Sequence, residues 1–220
     1  MLHIEQDTFD FIQSLKMYNS KEWMDENRDW YQNARSNYVD VVTAVLEGLQ
    51  LFDNSLEGVD PKKSIYRINR DIRFSPDKTP YKQHFGASFV KNGKNSGNAG
   101  YYFHIEPGNC FMGAGVWHPD NQVLKALRQE IDYNLSEWLS IVENPKFVKN
   151  FGQLQGEQLQ QVPRGYEKTH PAAQYLKYKS FLAHVPLTDA FVMQEDMVPK
   201  LIESLKLMVP LVQFINRSLD

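Results

Sequence analysis

Two runs of alternating apolar and polar residues, Tyr101 to Glu106 and Asn109 to Trp117, flank the pair Pro107-Gly108. Proline presets φ for the second position of a type II turn, and glycine supplies the positive φ that its third position requires. The pattern predicts an antiparallel hairpin, and the turn sets its register. With Glu106 facing Asn109, the side chains of Ile105, Phe103 and Tyr101 lie opposite Cys110, Met112 and Ala114 on a core face. His104 and Tyr102 lie opposite Phe111 and Gly113 on the other face. That second face is thin, because Gly113 and Gly115 put no side chains on it. Missing side chains in a strand mark close approach by another backbone or by a ligand.

Helical periodicity surrounds this hairpin. Asp7 or Thr8 can cap a short helix carrying Phe9, Ile12 and Leu15, and Asn19 with Glu22 has capping-box spacing for a second, long helix. Trp30, Ala34, Tyr38, Val41, Val42, Val45 and Leu49 form its apolar stripe. After a connector from Asp53 to Lys63 the period drops to two. Tyr66, Ile68, Ile72 and Phe74 alternate with Arg67, Asn69, Asp71 and Arg73, which predicts a strand with Arg70 as the one intruder on its apolar side. A helix carrying Ile65, Ile68 and Ile72 is the competing reading. Pro76 and Pro80 place a loop next, followed by a strand from His84 to Val90 and a polar, Gly-rich loop from Lys91 to Ala99. Helices are predicted after an Asp120 cap and over Leu135 to Val142 and Pro145 to Phe151, then a strand over Lys179 to Leu187. A C-terminal amphipathic helix is kinked or split at Pro210. The four tryptophans, Trp23, Trp30, Trp117 and Trp138, fit mostly core positions. Strands bunched in the middle of helical runs point to a single α+β domain over residues 1–220, with a mainly antiparallel central sheet.

A chain of 220 residues with 42% apolar residues has enough core to fold by itself, which sets disorder aside. No run approaches the roughly 18 apolar residues of a membrane span, and the acidic start MLHIEQDTFD is unlike a signal peptide. A soluble, cytoplasmic protein is the expectation, without a membrane partner. The lone Cys110 excludes an internal disulfide and sits on the predicted core face, where a thiol is inert. No GxSxG, Walker or complete dinucleotide fingerprint occurs, so no cofactor is predicted. His84, His104 and Glu106 can share the polar sheet face, with His118 at a strand end. Because no HExxH or similar spacing supports them, no metal ligands are assigned.

The net charge of −3 hides an asymmetry. Residues 1–60 carry 12 Asp/Glu against four Lys/Arg, whereas residues 61–84 carry seven Lys/Arg against two Asp. Such a basic segment either pairs with the acidic part of its own fold or keeps its charge for a ligand. In the ligand reading Arg67, Arg70, Arg73, Lys78, Tyr81 and Lys82 bind an anion, since guanidinium forks and ammonium groups suit phosphate or carboxylate. Asp71 orients the arginines, and His84 or His104 moves a proton, making these three the candidate catalytic groups. In the structural reading the arginines clamp carboxylates of the acidic N-terminal helices. Nucleic acid could use the same basic segment, but a pI near 6.1 and the placing of Tyr66 and Phe74 on the core face argue against it. Pro163-Arg164-Gly165-Tyr166 and His170-Pro171 read as turn chemistry, with Lys177 and Lys179 on a solvated face.

The run RINRDIRFSPDKTPYKQHFGASF, preceded by NSKEWMDENRDWY and followed by GAGVWHPD and VPRGYEKTHPAAQYLKYKS, resembles the bacterial and fungal proteins of domain of unknown function family 2461. The resemblance spans nearly the whole chain and implies a single domain; it supplies no catalytic residues. Two functions remain open. One is a small-molecule site for a phosphate or carboxylate on the polar face of the sheet. The other is a non-catalytic interaction module that docks an acidic protein or nucleic acid through the same segment.

Overall fold

The computed structural model describes residues 2–219. Helices α1 (Gln6–Met17), α2 (Lys21–Glu26) and α3 (Arg28–Gln50) lead through a 3-10 turn to the one-turn α4 (Pro61–Ser64). Strands β1 (Phe85–Val90), β2 (Gly100–Ile105) and β3 (Cys110–Val116) follow, then α5 (Asn121–Tyr133), α6 (Leu135–Val142), α7 (Pro145–Phe151) and α8 (Ala173–Leu176). The chain returns as β4 (Phe181–Leu187) and ends in α9 (Asp189–Val192), α10 (Met197–Lys206) and α11 (Val209–Arg217). The strands form one antiparallel sheet in the order β1-β2-β3-β4, so the fold is α+β.

The hairpin has the register its turn implies. Tyr101 pairs with Ala114, Tyr102 with Gly113, Phe103 with Met112 and His104 with Phe111. The Asn109 amide donates to the Glu106 carbonyl at 2.8 Å, with Gly108 at φ 77°. Asp120 caps α5 by accepting from the amides of Gln122 and Val123 at 2.8 and 2.9 Å. Pro210 sits in the first turn of α11, where its missing N–H costs nothing, so it separates α10 from α11. The second long helix is two. Ser20, not Asn19, caps α2 by accepting from the Trp23 amide, and Asn27 ends α2 before α3 begins.

One sheet face and the helices enclose the core. Phe85, Ala87 and Phe89 of β1, Tyr101, Phe103 and Ile105 of β2, Met112 and Ala114 of β3, and Phe181 and Ala183 of β4 are all buried. Helices α3, α10 and α11 pack over them. Tyr38 of α3 stacks on Phe85 at 5.3 Å, and its hydroxyl donates to the Phe103 carbonyl at 2.9 Å, which fastens the long helix to the central strand. A ring buried this completely contributes about 1.5–3 kcal/mol. Deep in the same core the Tyr101 hydroxyl donates to Asp53 at 2.7 Å. Asp53 also accepts from the Ser55 amide and hydroxyl, so its buried carboxylate is fully partnered.

The glycines of β3 are explained by backbone. A Cβ on Gly113 would meet the Ala183 carbonyl at 2.8 Å, and one on Gly115, at φ 129°, would run into the Phe181 carbonyl. It is β4, not a ligand, that approaches closely there. Trp117 is not core: it is 73% exposed one residue beyond β3, and lies edge-on to His118. No helix among the described residues is long and apolar enough to cross a membrane.

Candidate functional site

The basic segment 65–84 is not a strand. It runs out from α4 and doubles back toward β1 with only isolated bridges, Ile65 to Ala87 and Asn69 to Tyr81. The Tyr66 amide donates to the Gly86 carbonyl at 2.9 Å, Arg70 to Pro80 at 2.9 Å and Lys82 to Ile68 at 2.7 Å. Ile68 is buried, but Phe74, expected in the core, is 93% exposed at the tip, and Tyr66 is exposed too. The tip is closed by Arg70, whose guanidinium reaches Asp77, the Thr79 carbonyl and hydroxyl, and Ser75. Asn19 ties the returning limb to the N-terminal helices: its amide oxygen accepts from the Tyr81 N–H and its amide nitrogen donates to the Tyr81 carbonyl, both at 3.0 Å.

This course sets His84 immediately before β1, on the sheet face turned away from the helices. Tyr102 and His104 share that face because they alternate along β2, and Glu106, the residue after its end, follows on beside His104. The His104 ring, buried to 6% exposure, lies between two others: His84 at 4.4 Å on one side and Phe111 at 4.5 Å on the other, the latter nearly parallel. Beyond Phe111 stands His184 of β4, at 5.9 Å. The Tyr102 hydroxyl is 3.1 Å from His104 Nδ1, and His104 Nε2 is 3.5 Å from Glu106 Oε2. Asn109 donates to the same Glu106 oxygen at 2.8 Å, and Lys16 stands 3.6 Å from the other. Gly86 makes room for Tyr102, since a Cβ there would collide with its hydroxyl.

Burial dominates the electrostatics of this floor. It pushes His84 down to about 4, with His104 the next contribution, and it lowers His104 against the opposing pull of Glu106. Both imidazoles are therefore uncharged at neutral pH and offer lone pairs, so they serve as proton acceptors or ligands. Burial also raises Tyr102 to about 12, which keeps its hydroxyl protonated.

Above the floor, at the β1 edge, two ammonium groups gather at Tyr66, and the charge of Arg67 bears on one of them. Lys94 Nζ lies 4.6 Å and Lys82 Nζ 5.3 Å from the ring centre, and Lys94 also donates to the Ile65 carbonyl at 2.8 Å. Lys82 is lowered by burial first, then by the charges of Arg67 and Lys94. Among the described residues none of these three makes an ion pair with a carboxylate.

The sequence-predicted residues thus divide. Lys82, His84 and His104 come together on the outer face, with Arg67 near enough for its charge to bear on Lys82. Arg73 forks onto Asp71 at 2.7 and 2.9 Å, both exposed, and Asp71 is held low mainly by that contact. Arg70 closes the loop, Lys78 donates to the Ile72 carbonyl, and Tyr81 is a buried anchor. No ion pair among the described residues joins segment 61–84 to the acidic first 60 residues; the arginines that pair do so within their own loop. Lys94 and His184 join the face without having been predicted. Lys94 sits in a polar loop with no periodicity to read, whereas His184 alternates with the inward Ala183 and Val185 and was legible from the β4 pattern. His170 is structural, donating to Asp132 at 2.9 Å and accepting from the Ala172 amide. Cys110 is buried and pushed up to about 12. Shallow depressions of about 330 and 440 Å³ lie elsewhere, beside Val123 and Arg35.

No curated protein and no solved structure matches the chain. The model of one family, described as conserved hypothetical protein (DUF2461), matches residues 7–214. That span takes in every helix from α2 to α10, all four strands and the whole of the outer face, and by it the chain belongs to the DUF2461 family of conserved hypothetical proteins.

Proposed function

We propose that the outer face of the sheet binds a small anionic molecule through a phosphate or carboxylate group. The observation that carries this reading is the pair of ammonium groups, Lys82 and Lys94, gathered at Tyr66 with the charge of Arg67 bearing on Lys82, none of the three in an ion pair with a carboxylate among the described residues. Mutual repulsion and partial burial make that arrangement unfavourable by itself, and an anion placed among the three relieves it. Tyr66 and Phe111 give the rest of the molecule apolar surface beside the charge. His84 and His104, being neutral, accept a hydrogen bond or proton from it. Asp71 and Arg73, paired with each other at the exposed loop, stand outside this grouping.

Thermal unfolding against phosphate, sugar phosphates, nucleotides and carboxylates at constant ionic strength tests the reading. A selective rise in midpoint that disappears in Lys82→Gln and Arg67→Gln supports it; no response to any small anion refutes it. One observation favours a non-catalytic interaction module instead. Phe74 is almost wholly exposed with the Arg73 guanidinium 5.8 Å from its ring centre, as a docking tip presents an apolar anchor beside a charge. Retention of an acidic protein or nucleic acid that Phe74→Ala abolishes, with no small-anion response, selects that reading.

A further inference from the structure

We propose that His84, His104 and Glu106 form a mononuclear site for a divalent first-row transition ion, with Zn(II) as the reference metal. One ligand atom from each residue lies within 4.8 Å of the other two. A tetrahedral ion with ligands at about 2.1 Å needs them about 3.4 Å apart, so closure asks for a movement of roughly an ångström at the half-buried His84 ring and the Glu106 carboxylate. Two imidazoles and one carboxylate are a donor set that such ions favour over Mg(II) or Ca(II), which prefer oxygen alone.

Three further features fit a metal better than a purely structural cluster. The His104 to Glu106 distance of 3.5 Å is at the outer limit of a hydrogen bond, so the pair is juxtaposed without being satisfied by itself. His84 has no hydrogen-bond partner among the described residues; it meets His104 ring to ring, where two imidazoles with a carboxylate beside them can hold an ion between their nitrogens. The outer contacts are those that aim ligands. With the Tyr102 oxygen accepting from His104 Nδ1–H, Nε2 keeps its lone pair facing Glu106, while Asn109 and Lys16 fix the carboxylate. His104 stands on the central strand β2 and Glu106 one residue beyond its end, and Phe111 closes the far side of the His104 ring. Three protein ligands leave a position open toward solvent, on the side where Lys82 stands close enough to bear on His84. The ion thereby adds a Lewis acid beside the proposed anion site, but its binding does not depend on that site.

The test uses tag-free full-length protein stripped with a chelator and titrated with Zn(II) by equilibrium dialysis and with Co(II) by visible absorption. The expected result is one ion per chain at micromolar concentration, d–d bands of four- or five-coordinate Co(II), and a midpoint of unfolding that rises by several degrees with Zn(II). His84→Ala and Glu106→Gln should each weaken binding at least ~100-fold while leaving the metal-free midpoint near wild type. His118→Ala, on the exposed turn after β3, should change nothing. Failure of the wild type to take up one ion per chain at micromolar Zn(II) overturns the proposal. So does stoichiometric binding that survives in the double variant His84→Ala/Glu106→Gln. Lys82→Gln separates the two readings: it should abolish the response to small anions and keep the Zn(II).

Discussion

Replacing Asn19 by alanine removes the side chain whose two hydrogen bonds clasp the returning limb of the basic segment to the helices. The Tyr81 N–H has no other acceptor among the described residues, and Tyr81 itself is 8% exposed, so water replaces the lost partner poorly. Two hydrogen bonds at about 1 kcal/mol net apiece give a loss of about 2 kcal/mol. That loss falls on local opening of residues 66–84 more than on global unfolding, because the limb has only isolated bridges to the sheet. A loss of about 2 kcal/mol speeds opening about 30-fold, which native-state hydrogen exchange reads directly at the Tyr81 amide. Asn19→Asp keeps the acceptor and loses the donor, so it should show about half the effect. The limb carries Arg67, Lys82 and His84, so any small-anion response should weaken in the same order. Wild-type exchange at Tyr81 in Asn19→Ala would refute the reasoning, because the limb would then be ordered without its clasp.

Other outcomes follow from the same geometry. Arg73→Ala should leave the midpoint of unfolding and the small-anion response unchanged, since Arg73 and Asp71 pair only with each other in solvent; loss of either result, read by thermal unfolding, would return Arg73 to the site. Gly86→Ala should destabilise by about 1–3 kcal/mol in urea unfolding, because the new methyl displaces the Tyr102 hydroxyl from its place at His104. Tyr101→Phe should cost about 1–2 kcal/mol and Asp53→Ala more, since the latter strands a buried tyrosine hydroxyl. Cys110, with its acidity weakened to about 12, holds about a thousandth of an unfolded thiol's thiolate at pH 8, so native protein should resist a thiol-specific reagent until denatured. Because its native value lies above the unfolded one, the unfolded state loses its proton first, and stability should fall as pH rises from about 9 toward about 12.

The hairpin was legible because two local signals, the Pro107-Gly108 turn and the alternation of Tyr101, Phe103 and Ile105, agree with each other and with the pairing found. The same holds for α5 to α7, where Asp120 and Pro145 mark helix starts that no tertiary contact overrides. Segment 66–74 misled for a physical reason. Alternation reports an extended backbone with two different sides, not a hydrogen-bonded ladder, and here Pro76 and Pro80 lack donors while Arg70 and Lys78 take up backbone carbonyls with their side chains. Asn19 was read as a helix cap because its residue type suits one; that its amide instead mimics a strand partner for Tyr81, 62 positions away, is information only the fold contains. Of the candidate site, His84 and His104 could be placed from the predicted strands at β1 and β2, whereas Lys82 came from the loop before β1. Lys94 could not, since a loop offers no period from which to tell where an ammonium group ends up.

The return of the chain to the sheet also sets an order of assembly. Strands β1, β2 and β3 are joined by short connections, whereas β4 finds β3 only after α5 to α8 have intervened, and Val116 must meet Phe181 across that whole excursion. Closing a loop of about 64 residues in place of a four-residue turn costs about 2.5 kcal/mol more in chain entropy. The three-stranded meander can therefore form early and locally, with β4 docking late, after the helical excursion has shortened the distance between its ends. Mutations that weaken Cys110 to Val116 should slow folding, and those confined to β4 should chiefly hasten unfolding. The glycines at 113 and 115 leave the open edge of β3 free of side chains on one face, a berth that a late-arriving strand can enter without rearranging what is already built.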